Sequence, residues 1–364
     1  MTSPGSGTSG EARDGHKHGH DDDASYEPLP PVERLRAGIS VVPVPLPNNS
    51  LRHVFVYVFE GDDGIYLVDA GWNTEEAWAA LTGGLAQLGM GMADVRGVMV
   101  THLHPDHYGL AGRVREASGG WVSLHPADAR LLHDRYVEPA DLLDRVSGML
   151  RRAGAPTEEI ARLTQVAMPV RPFVDAVTPD VLLEDGERPA VPGWDLSAIW
   201  TPGHTPGHLC FWEPRHEVLL TGDHVLPRIT PNISFHPQAG DDPLGDFLAS
   251  LDKLEPYEPG EVFPAHEYRW DDLHGRLEEL RRHHASRFRE VFDALRDGDT
   301  TAWAVASRMS WSRPWDTIDG WMRRAALGEA LAHLRALQHR GILEPDDDEP
   351  THWGFTDRAG ELIG

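Results

Sequence analysis

The stretch Thr101 to Gly112, THLHPDHYGLAG, places three histidines and an aspartate within six positions, directly after the short apolar run Val98 to Val100. In an extended segment residues i and i+2 share a face, so His102 and His104 can hold one cation from a strand end. Asp106 and His107 then turn towards a second. An aspartate at this point would also suit the N-cap of a helix over residues 108–116. Capping alone leaves the three imidazoles around it unexplained.

Four further segments supply partners of the same kind. IYLVDAG (Ile65 to Gly71) brings Asp69 to the end of an apolar run, and LLTGD (Leu219 to Asp223) does the same for Asp223. TPGHTPGH (Thr201 to His208) carries His204 in a Pro/Gly-rich loop after Leu196 to Trp200, and EVFPAH (Glu261 to His266) ends on His266. Each follows a short apolar run with turn residues, which is how a sheet scaffold gathers distant side chains along one edge.

This order and spacing resemble the metallo-β-lactamase superfamily from about Val41 to Tyr268. The resemblance implies an α/β fold, an αββα sandwich. It also implies that His102, His104 and His204 bind a first metal ion, that Asp106, His107 and His266 bind a second, and that Asp223 bridges them. Asp69 would hold a ligand histidine or the motif loop by a hydrogen bond, as bound imidazoles usually require. Two divalent ions are therefore expected as cofactors, zinc by default, with iron or manganese also suited to a His/Asp set without thiolates. A water between two cations has its pKa lowered towards about 7, providing a hydroxide nucleophile, which Asp106 would orient. TPGHTPGHLCFW followed by GD looks like the glyoxalase II branch, which implies a hydrolase of a carboxylic ester or thioester. A lactonase, a phosphodiesterase or nuclease, and a mono-iron sulfur dioxygenase are the alternatives.

Composition narrows these classes. A formal net charge of −25 over 364 residues argues against a broad nucleic-acid or anionic-membrane footprint. The single cysteine, Cys210, forms no internal disulfide and reads as core packing. No apolar run reaches membrane-spanning length, so a cytoplasmic protein acting on a small molecule is expected.

Residues 1–30 read as a disordered tail, in which HKHGHDDD (His16 to Asp23) is a solvated polar stretch rather than a catalytic one. Residues 31–286 form the expected catalytic domain, with a hairpin of Val54 to Glu60 and Gly64 to Val68, and a helical insertion at 131–175 near the pocket. Tyr136, Met149 and Phe173 are the insertion's candidates for lining a cleft, and His125 stands at a strand end nearby. After Asp223, the loop HVLPRITPNISFHPQ presents Arg228, Asn232 and His236 as candidate substrate contacts, with Arg228 able either to take a carboxylate or phosphate or to pair with a protein carboxylate. Residues 287–364 read as a small, mainly helical, winged-helix-like domain. Its helix AALGEALAHLRALQHR carries few cations and its wing, Glu344 to Glu349, is acidic, so a structural, dimerising or site-covering role is expected over DNA reading.

Overall fold

Near-continuous apolar runs along the early strands require a sheet with both faces covered. The computed structural model describes residues 28–47, 51–166 and 168–361, and the tail His16 to Asp23 lies outside them. Seven strands form the first sheet, in the order β1 (Glu33–Arg34), β2 (Ile39–Pro45), β3 (His53–Gly61), β4 (Gly64–Val68), β5 (Val95–Met99), β6 (Trp121–Leu124) and β7 (Val181–Leu182). The expected hairpin is β3–β4, closed with Gly61 opposite Gly64, and from β4 onwards the strands run parallel. The second sheet holds β8 (Ser197–Trp200), β9 (Leu209–Glu213), β10 (Val218–Gly222) and β11 (Glu261–Pro264), with β10 and β11 parallel.

Side-chain alternation sorts these residues into layers. Phe55, Tyr57 and Phe59 of β3 face the second sheet and pack with Phe211, Leu220 and Phe263. Val54, Val56 and Val58 take the opposite face and pack on Leu81 and Leu85 of α1 (Glu75–Gln87). The outer face of the second sheet, with Ile199, Cys210, Leu219 and Val262, packs on Phe247 and Leu251. Those two belong to a helix over Pro243–Leu254. The result is an αββα sandwich in which each fully buried Val, Leu or Phe contributes about 1.5–3 kcal/mol. Cys210 is buried and free, within the apolar core.

Two segments differ from their expected form. Instead of one long helical run, the insertion that follows α4 (Pro126–Ala129) is broken into a π-turn at His133–Val137, α5 (Ala140–Arg152), α6 (Thr157–Gln165) and a 3-10 turn at Met168–Phe173. Pro139 and Pro156 stand immediately before α5 and α6, and Gly154 takes a φ of +81° between them, so the chain changes direction at each point. The apolar stripe of α5, including Val146 and Leu150, packs into the core rather than lining a cleft.

The boundary expected at residue 287 falls inside one continuous helix. With the helix over Pro243–Leu254 as α7, this is α8 (Leu273–Arg296), followed by α9 (Ala302–Arg308), α10 (Gly320–His339) and the antiparallel pair β12 (Leu343–Pro345) and β13 (Trp353–Phe355). These helices share one hydrophobic core with α5, α6, α7 and the second sheet. Ala326, Leu327, Ala330, Leu331, Ala332, Leu334 and Leu337 of α10 are all buried, so the helix in the recognition position is a central core element. Among the described residues no helix is long and apolar enough to cross a membrane.

Candidate metal centre

Parallel strands deliver their C-terminal ends to one edge, and the chemistry-bearing residues follow those ends: Asp69 after β4, His102 and His104 after β5, Asp223 after β10, His266 after β11. The single-turn helix α2 (Pro105–Tyr108) then swings Asp106 and His107 inward. Asp106 is not its N-cap. Pro105 starts the helix one residue earlier, His104 occupies the cap without a side-chain cap bond, and the next helix, α3 (Ala111–Ser118), begins beyond a turn.

Two clusters result, with one carboxylate between them. His104 Nδ1 stands 3.0 Å from both His102 Nε2 and His204 Nε2. His266 Nε2 stands 3.4 Å from Asp106 Oδ2, and His107 Nε2 stands 3.6 Å from the same oxygen. Asp223 turns Oδ1 to the second cluster, 3.2 Å from His266 Nε2 and 3.6 Å from His107 Nε2, and Oδ2 to the first, 3.6 Å from His204 Nε2. Donor atoms on a tetrahedral ion with bonds of about 2.1 Å lie roughly 3.4 Å apart, so these separations match a shared ligand sphere.

The outer contacts decide which ring nitrogen faces inward. His204 Nδ1 donates to Asn232 O at 3.0 Å and His266 Nδ1 to His53 O at 2.8 Å, so Nε2 of both faces inward. Asp69, at a φ of +63°, accepts from His107 Nδ1 at 2.8 Å and from Thr101 N at 2.8 Å. Thr101 Oγ1 donates to the same carboxylate and lies 3.0 Å from His102 Nδ1. His107 Nε2, His266 Nε2 and Asp223 Oδ1 are buried with no hydrogen-bond partner. Buried polar atoms that converge without a partner in this way fit divalent cations.

Charge in the cluster is mutually compensated. Burial opposes ionisation of His107, yet Asp106, Asp69 and Asp223 raise its pKa well above the usual imidazole range. His266 is pushed up to about 10 by Asp223 and Asp106, again against burial. His102 and His104 are driven well below that range, first by burial and then by neighbouring cationic groups.

Two positioning residues are not evident from the motifs. Asp128 in α4 is fully buried and accepts from Leu103 N at 2.9 Å, Thr205 Oγ1 at 2.8 Å and Gly207 N at 2.7 Å, so one carboxylate ties the HLHPDH loop to the His204 loop. Burial raises its pKa to about 6 despite those bonds. His208, the second histidine of TPGHTPGH, accepts from the backbone N of Asp223 at 3.1 Å, and a Cβ on Gly222 would come within 2.7 Å of its Nε2. The repeated TPGH was the only sequence signal for His208, and Asp128 had none.

The candidate substrate residues scatter. Tyr136 is buried and donates its hydroxyl to Leu103 O at 2.8 Å, supporting the loop between His102 and His104. Phe173 stacks on Trp72 at 4.8 Å, and Met149 packs against the core. Arg228 is 78% exposed in its side chain and pairs with Glu267 at 3.1 Å. Asn232 offers its carbonyl to His204, and its Oδ1 accepts from Ser234 Oγ. His236 accepts from Gln238 N at 3.2 Å. His125 caps α4 by accepting from Ala127 N at 3.1 Å and stacks on Trp200.

The family model described as the metallo-beta-lactamase superfamily matches residues 50–266. The chain belongs to this superfamily. It is 32% identical to a metallo-beta-lactamase family protein of Thermus thermophilus of known crystal structure, with a TM-score of 0.75 over 88% of this chain and 99% of that one. A beta-lactamase domain protein of Burkholderia ambifaria is 25% identical, with a TM-score of 0.76 over 89% of this chain and 94% of that one. The probable metallo-hydrolase YqjP of Bacillus subtilis is 28% identical over 273 residues, 67% of this chain and 79% of that protein. The alignments to both structures extend past residue 266, since each covers well over three-quarters of the chain. As a superfamily member with these His/Asp clusters, the chain is a metal-dependent hydrolase in the general sense.

Proposed function

We propose that the chain is a dinuclear metal-dependent hydrolase of a carboxylic ester or thioester. One observation carries the dinuclear part: the two oxygens of Asp223 face two separate histidine sets, with His102, His104 and His204 on one side and Asp106, His107 and His266 on the other. When bound, two divalent ions would supply Lewis acidity and a water acidic enough to act as a nucleophile near neutral pH. Zinc suits the donor set, and so do iron and manganese.

The chain's own residues do the rest. Asp69, Asn232 O and His53 O hold three imidazoles in the tautomer that turns Nε2 inward. Asp106, 3.4 Å from His266 Nε2 and partly open to solvent, can orient an attacking water and carry its proton towards the leaving group. Burial of His102, His107 and His266 keeps bulk water from competing for the donors. A substrate smaller than nucleic acid agrees with the acidic chain and with a recognition-position helix whose apolar residues from Ala326 to Leu337 are buried.

Metal content of protein purified without added metal, coupled to turnover of p-nitrophenyl esters, thioesters, lactones and bis-p-nitrophenyl phosphate, tests this reading. Two ions per chain with acyl turnover support it. One iron without hydrolysis overturns it in favour of sulfur oxidation, and turnover confined to the phosphodiester overturns the substrate class.

A further inference from the structure

The long loop between Asp223 and α7 carries an atom that shapes the metal centre, the carbonyl oxygen of Asn232, which takes the Nδ1 proton of His204 at 3.0 Å. Residues 224–242 run as turns and irregular chain. The position of the Asn232 carbonyl is therefore set by the groups that bind this loop, since its backbone must find partners outside itself.

The C-terminal helices supply those groups. Near the start of the loop, Arg276 of α8 donates to three carbonyls, from Nε to Leu226 O at 2.7 Å and from Nη2 to Arg228 O at 2.9 Å and Ile229 O at 2.7 Å. Next to Asn232, Ile233 is buried in the core that α8, α9 and α10 build. Ser234 Oγ donates to Asn232 Oδ1 at 2.6 Å, with Ala325 O of α10 3.2 Å away, and Phe235 N donates to Gly328 O at 2.9 Å. Two turns further along α10, the Arg335 guanidinium lies 4.5 Å over the Phe235 ring. The loop is thus held on both sides of Asn232, by α8 before it and by α10 after it.

Gly328 permits the closest of these approaches. Glycine is a poor helix former, and one inside a helix usually marks a tight contact. Here a Cβ would lie 2.8 Å from Ser234 Cβ, 2.9 Å from its Oγ and 3.3 Å from Phe235 O. Non-bonded carbons settle about 3.5–4.0 Å apart, so a methyl at this point would displace its neighbour by roughly 0.7 Å. The helix resists that displacement, because ten residues of α10 are buried, and the irregular loop yields instead. Carried two residues back to Asn232, a shift of that size stretches the bond to His204 Nδ1 beyond about 3.6 Å, where no hydrogen bond is left.

We infer that Gly328 is a positioning residue of the metal centre: through Ser234, α10 fixes the Asn232 carbonyl, and that carbonyl sets the His204 tautomer and so the grip of His102, His104 and His204 on one ion. This deepens the metal-dependent reading and rests on it. It gives the C-terminal helices a part in the centre from beyond residue 266, where the family match ends. The other histidine set is oriented elsewhere, His107 by Asp69 and His266 by His53 O, so a change at Gly328 falls on one ion of the two.

The test uses the full-length protein, stripped of metal and reloaded with cobalt(II) against a competing chelator, so that each binding step is read by visible absorption without turnover. Gly328→Ala is expected to weaken one step by about tenfold or more, the scale of losing the outer partner of a bound imidazole. The other step, the one sensitive to Asp69→Asn, should keep its wild-type affinity. Gly83→Ala in α1, where a Cβ meets nothing within 4 Å, should alter neither. Ser234→Gly removes the side chain that the new methyl would strike; in that background Gly328→Ala should cost nothing further. Urea unfolding of the metal-free variants measures any general loss of stability separately. A tenfold cost that vanishes beside Ser234→Gly sustains the inference. An equal cost in both backgrounds, a loss spread evenly over both steps, or two unaltered steps whatever the urea midpoint, would overturn it and leave the hydrolase standing. A single cobalt step in wild type that Gly328→Ala weakens would sustain the positioning role and remove the dinuclear reading.

Discussion

Replacing Asp69 with Asn separates the orientation of a ligand from the ligand itself. The Asp69 carboxylate accepts from Thr101 N and Thr101 Oγ1 on one oxygen and from His107 Nδ1 on the other, at 2.8–3.0 Å. Asparagine tolerates the positive φ of 63° at this position, so backbone strain does not enter, as it would for Ala. An amide has one acceptor oxygen where the carboxylate has two. If that oxygen faces Thr101, the NH2 group faces His107 Nδ1, the imidazole proton moves to Nε2, and the atom aimed at Asp106 and Asp223 is no longer a donor to metal. If it faces His107, two N–H groups meet head-on at Thr101. Either way one charge-assisted bond is lost, about 1.5–3 kcal/mol. For an outer partner of a metal-bound imidazole, the matching loss in affinity is about 10–100-fold. It should fall on the ion held by Asp106, His107 and His266, with the His102, His104 and His204 set nearly untouched. Chelator competition resolves the two binding steps, and urea unfolding of the metal-free protein measures the stability change. Two binding steps of wild-type affinity together with an unchanged urea midpoint would refute the assignment of Asp69 as the residue that sets the His107 tautomer.

Asp223→Ala should remove metal and activity together, since its two oxygens serve both clusters, whereas Asp106→Asn should cost mainly rate; metal analysis beside turnover separates them. Asp128→Ala strands the N–H groups of Leu103 and Gly207 and the Thr205 hydroxyl. At about 1–3 kcal/mol for each orphaned donor, less about 3 kcal/mol recovered from a carboxyl whose pKa burial raises to about 6, the net loss at pH 8 is about 3 kcal/mol. Denaturant titration checks this value. Stability should also fall in acid through buried imidazoles of the C-terminal core. Burial and then His333 lower His284 to about 2, and burial lowers His333 to about 3. Their stabilising effect is therefore complete above the unfolded value near 6.5 and is lost as pH drops, because only the unfolded chain takes up the protons. The loss reaches about 2 kcal/mol per imidazole by pH 5. Metal-free His284→Leu should unfold with a shallower dependence on pH between 6.5 and 4.5; an unaltered slope would show that His284 does not contribute.

Much of the candidate centre was legible because residue types able to hold a metal stand out at strand ends. Asp69, His102, His104, Asp223 and His266 follow β4, β5, β10 and β11, and the apolar runs before them declare those strands. The insertion was less legible. Its apolar spacing is helical, but Pro139, Gly154 and Pro156 divide it, and the stripe that might have lined a cleft packs into the core. The expected break at residue 287 fell within α8 because periodicity reports which face of a helix is buried, not which neighbour buries it.

The sequence by itself supplied short apolar runs that end in His and Asp, and through them the resemblance that implied the αββα layering and the candidate donor set. Tertiary structure decided which nitrogen each imidazole turns inward, since that depends on Asp69, Asn232 O and His53 O reaching their partners across long separations. It also decided that Asp128 joins two loops and that Arg228 is paired. Those outcomes depend on distances of a few ångströms between segments up to about two hundred residues apart, where residue type and spacing carry no information about contact.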